Sequence, residues 1–369
     1  MNESGQERAV NLYFAAENEA KESGWRKLGR ILAKILLILA ETVLLLAVVL
    51  YAAMYVMAKG PSPTIQKLFV NSVKETSAVG FLADLYLSED EIAALEAVKE
   101  TEEYDPTDMS LFTEETVTSE SGGPQRDAWG LVDEDGDGII IDRVYGEGFS
   151  GFMMVVLDPS RVIVGSVPGS FGSRGYTVAE FVGLFHASAG INAGGFDDPN
   201  GMGTGSTPDT LVVYDGTIYQ PGRGCGDGIA AIDEDGILHV ANSMSVDELH
   251  ENRIRYAVCY GPVLISNGNP ADPETLPESL NPRTAIGQRS DKAMLLLVID
   301  GRQVSSMGAS YQDLVEIMQH YGAVNAVNLD GGSSSLMWYN GSYINKTASV
   351  IGIRPVPTSI LVLQEGQTP

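Results

Sequence analysis

The chain has 369 residues, of which 44% are hydrophobic and 20% charged, a balance that suits a globular fold and excludes a disordered one. Its formal charge is −26, and residues 61–369 hold 16 Lys and Arg against 43 Asp and Glu. That acidity excludes a nucleic-acid partner, because binding to phosphate backbones rests on clustered cations.

Residues 1–34 are polar and charged and read as a cytoplasmic tail. Residues 35–58, "ILLILAETVLLLAVVLYAAMYVMA", are apolar except for Glu41 and Thr42. About 20 helical residues cross a bilayer core, so this stretch is expected to be a transmembrane helix. Cleaved signals have apolar regions of only about 7–15 residues, and "VMAKG" is a poor cleavage site. Arg26, Lys27, Arg30 and Lys34 precede the stretch and only Lys59 follows closely. The positive-inside bias then predicts a single-pass protein of the cell membrane, with a cytoplasmic N-terminus and all later residues extracellular.

Residues 59–99 read as a helical stalk. Ile65, Leu68, Phe69, Ser72, Val73, Thr76, Val79 and Leu82 recur at three-and-four spacing, and Ser88 with Glu91 forms a capping-box pattern that starts a new helix. The stripe is expected to be a packing face, against itself or against a second copy in a homo-oligomer. Residues 100–125 are acidic and rich in Ser and Thr, with "SESGGP", and read as a linker.

Residues 126–369 form the remaining domain. "GFMMVVLDPSRVIVGSV", "TLVVYDGTIY", "IRYAVCYGPVLIS", "KAMLLLVIDGR" and "TSILVL" have strand composition, while "TVAEFVGLFHAS" and "SYQDLVEIMQHYG" have helical spacing. The predicted class is α+β, a strand-rich mixed-sheet domain with flanking helices, preceded by the transmembrane helix and the stalk.

Two cysteines, Cys225 and Cys259, stand outside any CxxC or metal-ligand spacing, and whether they pair is left open by the sequence. Asp133, Asp135 and Asp137 followed by Gly138 resemble the start of a calcium loop, but its twelfth position is Val144 where a bidentate Glu is needed. An acidic turn into a strand is the better reading. His186, His239, His250 and His320 lack HxxxH spacing and a neighbouring nucleophile, which leaves histidine metal sites and Ser-His-Asp catalysis without support. No cofactor is required by the sequence; a divalent cation such as calcium is compatible with it.

Polar, glycine-bearing stretches sit where apolar strands stop: "INAGGFDDPNG", "YGPVL", "NPRTAIG", "VIDGR" and "VNLDGGSSS". Strand ends of this kind gather binding groups at one rim. Arg283, Arg302, Asp300, Asp330, Asn192 and Asn328 would supply fork donors, carboxylates and amides there. Arginines suit a phosphate; a carboxylate suits water activation or chemistry at an anomeric carbon.

In order along the chain, "INAGGF", "YGPVL", "NPRTAIG", "LLLVIDGR", "YGAVNAVNLDGGSSS", "NGSYINK" and "RPVPTSILV" resemble the phosphodiester glycosidase family. The likeness runs over residues 126–363 and is strongest from Asn281 onward. It implies hydrolysis of a sugar 1-phosphodiester at the anomeric C–O bond. It also implies active-site positions for Arg283, Thr284, Asp300, Arg302, Asn328, Asp330, Gly331, Gly332 and Ser333, with Asn192, Gly194, Gly195 and Ser334 as further substrate-binding positions. The anchored arrangement resembles members from Gram-positive bacteria, where the partner would be a glycan phosphodiester of cell wall or exopolysaccharide. One departure is "NAGGFDD", with Ala193 inserted into the family's Asn-Gly-Gly pattern and Asp197 in place of a second aromatic residue.

The expected mechanism needs only one carboxylate and a cationic clamp, because a phosphate leaves without the protonation that an alcohol requires. Arg283 and the backbone of residues 331–334 would hold the phosphate. Asp330, ahead of Asp300, would activate water or stabilise an oxocarbenium-like sugar. The rival expectation is a noncatalytic anchored ectodomain that binds glycan or scaffolds polysaccharide assembly.

Overall fold

A computed structural model describes residues 3–76, 78–99, 103–113, 125–199, 203–219, 225, 227–349 and 352–367. Two compact units divide it, Met1–Pro61 and Ser62–Pro369. The first is one helix, Glu3–Lys59, whose segment Trp25–Lys59 is long and apolar enough to cross a bilayer.

Within the second unit all named strand pairs are antiparallel. The largest sheet has seven strands, in the order Asn269–Pro270, Val263–Ser266, Ala323–Leu329, Arg283–Arg289, Met294–Ile299, Phe149–Val156 and Ile139–Gly146. A five-stranded sheet runs Ser342–Tyr343, Met337–Tyr339, Ala187–Asn192, Thr358–Leu363 and Val162–Ser166. Another runs Leu238–Ala241, Ile229–Asp233, Ile254–Cys259, Val212–Tyr214 and Thr217–Tyr219.

The period-two geometry of a strand explains how the large sheet serves two cores. Met154, Val156, Leu296 and Val298 join Ile163, Val164, Ile191 and Leu361 of one five-stranded sheet and Ile232 and Tyr256 of the other in the main cluster. Met153, Val155, Leu295 and Leu297 turn to the opposite face, beneath Leu314, Val315 and Met318 of the helix Tyr311–His320. That is why "MLLLVI" reads as a continuous apolar run: both faces are covered. The second five-stranded sheet buries its outer face, including Ile229, Ala231 and Ala257, with Leu249 of the short helix Val246–Glu251.

The expected helices around residues 178 and 311 are present as Val178–Phe185 and Tyr311–His320, each opened by a capping box. Ser88 and Glu91 also make the expected capping box, at the head of Glu89–Glu96. The stalk stripe, however, does not run as one helix. It breaks after Pro63–Lys74 and resumes at Phe81–Asp84, because the side chains of Glu75 and Thr76 bond to residues 279–302. Of the acidic stretch 100–125, residues 103–113 are described, and they bond to the domain through Asp108 N–H to Asn267 Oδ1 and Thr113 N–H to the Ser290 carbonyl. Residues 114–124 lie outside the described residues.

Cys225 and Cys259 form a disulfide with their Cα atoms 5.2 Å apart, which settles the pairing. The Asp133, Asp135 and Asp137 carboxylates lie within 4.8 Å of one another, and both Asp133 oxygens accept turn amides, from Gly136 and Gly138. This is the acidic turn into a strand expected from "DEDGDGIIID".

Candidate active site

The strand Ala323–Leu329 ends at Asp330, and the residues that hold this carboxylate come from two sheets. Asp330 N–H donates to the Ala193 carbonyl at 2.9 Å, and its own carbonyl accepts from Asn192 Nδ2. Asn192 Oδ1 accepts from Thr284 Oγ1 at 2.9 Å and from the Leu336 amide at 3.1 Å. Asn192 and Thr284 are both fully buried. A buried amide satisfied from both sides is costly to disturb, so this joint fixes where Asp330 stands. Asn328 sits two residues back, its Nδ2 donating to the Gly261 carbonyl at 2.6 Å.

The glycine pair after Asn192 is dictated by close approach. A Cβ on Gly195 would stand 2.8 Å from Asp209 Oδ1 and 3.0 Å from Tyr260 Cδ2; one on Gly194 would stand 3.2 Å from Val258 Cβ. Only glycine lets this backbone pass under Asp209 and Tyr260. Gly331 has the same constraint, its missing Cβ lying 2.8 Å from the Pro282 carbonyl oxygen.

These elements frame a cavity of about 750 Å³ whose wall includes Asp330, Arg302, Arg283, Tyr260 and Asp209. Gly331, Gly332, Ser333 and Ser334 also line it. Burial pushes the Asp330 carboxyl up to about 7; a Ser334 hydrogen bond and Arg354 oppose this, and Asp209 adds to it. Asp330 Oδ2 is buried with no hydrogen-bond partner among the described residues. A carboxyl poised near neutrality in a cavity is suited to proton transfer.

The cations divide into two kinds. Arg283 is 3% exposed, and each of its three nitrogens already has an acceptor: Nε the Ala309 carbonyl, Nη2 Ser279, and Nη1 the Glu75 carboxylate at 3.0 Å. Its guanidinium also stacks 3.8 Å from the Tyr311 ring centroid. Arg302 is exposed, and only Nη2 is engaged, by Thr76 Oγ1 at 2.6 Å and Asn281 Oδ1 at 2.9 Å; Nε and Nη1 have no acceptor among the described residues. The expected division of labour is therefore altered: Arg302, rather than Arg283, has donors open to an anion. The backbone is likewise less open than expected, since the Gly332 amide donates to the Pro282 carbonyl and the Ser334 amide to the Gly331 carbonyl.

Asp300 does not line the cavity. Its Oδ1 accepts from Asn345 Nδ2 at 3.1 Å and the Lys346 amide at 3.0 Å, so it orders the 345–346 segment.

Several lining residues escape sequence reasoning. Arg354 makes a bidentate pair with Asp198 and donates to Ser333 Oγ at 3.1 Å. Burial opposes the charge of Asp198, but Arg354 and the Gly203 amide outweigh it and lower its pKa. Arg354 and Tyr260 stand inside "RPVPTSILV" and "YGPVL", so the signal was present without a role attached. Asp209 and Glu75 carry no local signal. Ser72, Val73, Thr76 and Val79, on the stripe expected to pack, line the cavity instead.

Residues 185–363 match the sequence model of the family described as phosphodiester glycosidase. Among relatives, an uncharacterized SPbeta prophage-derived protein of Bacillus subtilis, YomE, is 32% identical over 167 residues, 43% of this chain and 26% of that protein. Mouse N-acetylglucosamine-1-phosphodiester alpha-N-acetylglucosaminidase is 23% identical over 251 residues, covering 60% of this chain and 47% of that enzyme. The chain thus spans less than half the length of either relative. Among solved structures, the zebrafish enzyme of the same name, its catalytic domain auto-inhibited by pro-peptide, superposes with a TM-score of 0.51 at 18% identity. That superposition covers 73% of this chain and 97% of the zebrafish chain and shows a shared fold.

Proposed function

We propose that the chain, whose residues 185–363 match the phosphodiester glycosidase family model, hydrolyses the anomeric C–O bond of a sugar 1-phosphodiester. The observation that carries this reading is Asp330, a half-buried residue with a buried Oδ2 and a carboxyl raised to about 7, in a cavity where Arg302 has two nitrogens without acceptors among the described residues.

Water oxygen bonds to C1 as the C1–O bond breaks, and that electron pair leaves on the phosphate oxygen. Ionised Asp330 takes the water proton and faces the positive charge that grows on the sugar ring. Arg302, with Arg354 and Ser333 lining the same cavity, meets the charge gathering on the departing phosphate. Arg283 acts from behind as a framework cation.

The substrate we infer is a cell-wall or exopolysaccharide phosphodiester outside the cytoplasmic membrane. The basic cluster before residue 35 supports that placement, and so does the Cys225–Cys259 disulfide, which belongs to an oxidising compartment.

The deciding experiment is hydrolysis of UDP-N-acetylglucosamine and of a sugar 1-phosphate methyl diester in oxygen-18 water, followed by phosphorus NMR. Label in the sugar with unlabelled phosphate is expected. Label in the phosphate means attack at phosphorus, and absence of turnover with retained glycan binding returns the scaffold reading.

Two further results follow from the site. The ionised form of Asp330 is the working form, so kcat/KM should rise about tenfold per pH unit up to about pH 7 and then level off. A profile already flat from pH 5 to 8 excludes Asp330 as the base. Gly195→Ala should lower kcat/KM roughly 10- to 100-fold, because the new methyl pushes Asp209 and Tyr260 from their places; steady-state kinetics at unchanged melting temperature checks it.

A further inference from the structure

The helix Pro63–Lys74 begins four residues after Lys59, and nothing in the chemistry above requires it. Yet it is stitched to residues 278–281, which lead into the strand that carries Arg283, by a run of bonds. Asn71 Nδ2 donates to the Glu278 carbonyl at 3.2 Å, and the Leu280 amide to Ser72 Oγ at 2.9 Å. Ser279 Oγ donates to Glu75 Oε1 at 2.7 Å, and Asn281 Nδ2 to Glu75 Oε2 at 2.8 Å. Phe69 and Val70 of the same helix are buried.

We propose that the end of this helix is a working wall of the active site, with Glu75 and Thr76 as positioning residues for its two arginines. Glu75, whose side chain is 25% exposed, takes up Arg283 and Asn281 together. Asn281 and Thr76 in turn grip one end of Arg302, Nη2, and so leave Nε and Nη1 for the phosphate. The Thr76 hydroxyl can accept from Arg302 because its own hydrogen goes to the Ser72 carbonyl, at 2.9 Å, in the last turn of the helix. The cavity of about 750 Å³ persists with the helix seated, which distinguishes a wall from a plug.

The inference rests on the proposed phosphate site and deepens it. Its test uses the full chain in detergent micelles and calorimetric binding of a sugar 1-phosphate, with turnover of the methyl diester as a second readout. Thr76→Val keeps the side-chain shape but removes the acceptor, and should weaken binding about tenfold. The loss should appear in kcat/KM, through kcat as well as KM, with the pH midpoint little changed, and Thr76→Ser should restore binding to within about twofold. Glu75→Ala should also bind more weakly than wild type.

Equal binding by Thr76→Val and wild type overturns the inference, as does a Thr76→Ser variant no better than Thr76→Val. Tighter binding or faster turnover by Glu75→Ala overturns it in the other direction, since the helix end is then a blocking segment. A wild-type chain that fails to bind the sugar 1-phosphate brings down the proposed phosphate site itself, and the inference with it.

Discussion

Asp330→Asn is expected to lower kcat by roughly a thousandfold and, at the same time, to make the protein more stable at pH 8. The rate loss follows from removing a group that, alone among the described residues lining the cavity, is both raised to about 7 and carried at a strand end held by two sheets. The stability gain follows from the same burial. An unfolded Asp loses its proton near 3.8, whereas folded Asp330 keeps it to about 7. As pH rises through that window the unfolded state ionises and the folded state resists, so the wild-type fold loses stability until about pH 7 and holds that penalty above it. Asparagine carries no such penalty. The advantage of the variant should be absent below about pH 4 and reach roughly 2–4 kcal/mol above pH 7, an increase of several degrees in melting temperature. Thermal melts of both proteins from pH 4 to 8 measure it; parallel curves at all pH values show that Asp330 is not buried in its neutral form.

The largest loss of stability is expected at Arg289→Met, about 3–5 kcal/mol. Arg289 and Asp127 have side chains with no solvent exposure and meet at 2.6 Å; Asp291 adds a second contact at 2.8 Å. The guanidinium lies 4.0 Å from the Trp129 ring centroid, and Asp127 Oδ1 accepts the amides of Trp129 and Leu131. Removing the cation leaves Asp127 charged and buried with nothing to balance it. A double variant, Arg289→Met with Asp127→Leu, should recover much of the loss, because the fully buried carboxylate is then gone and only the less buried Asp291 has lost its cation. Denaturant melts decide the matter: a single variant within about 1 kcal/mol of wild type means the pair does not pin the 127–131 turn.

Much of this architecture was legible from local pattern. The apolar run after Lys34, the Ser88 capping box, the apolar strands and the face of Tyr311, Leu314, Val315 and Met318 each follow from a period or a pair of residues within one turn. The strand-end positions Asn192, Thr284 and Asp330 were legible as a set, and the structure joins them through Asn192. What local pattern could not supply was partnership over long separations. Glu75 meets Asn281 across 206 residues, and Arg302 meets Thr76 across 226. Nothing within either segment encodes the other, so the amphipathic stripe gave only a packing face. For the same reason the sequence put Arg283 ahead of Arg302 as the phosphate clamp, although Arg283 is saturated by a carboxylate that the strand sequence does not contain. The disulfide stayed open because a sequence separation of 34 says nothing of a 5.2 Å distance.

Asn192 belongs to a five-stranded sheet, while Thr284 and the strand leading to Asp330 belong to the seven-stranded one. The placement of Asp330 is therefore a gauge of how the two sheets are aligned. A slide of half an ångström between them leaves each sheet's own ladder whole, yet it pulls Asp330 off its mark. Inactivation and unfolding should then be separable events in this fold: warming, or trimming the apolar side chains that lie between the sheets, is expected to disturb the site while most of the backbone is still in place.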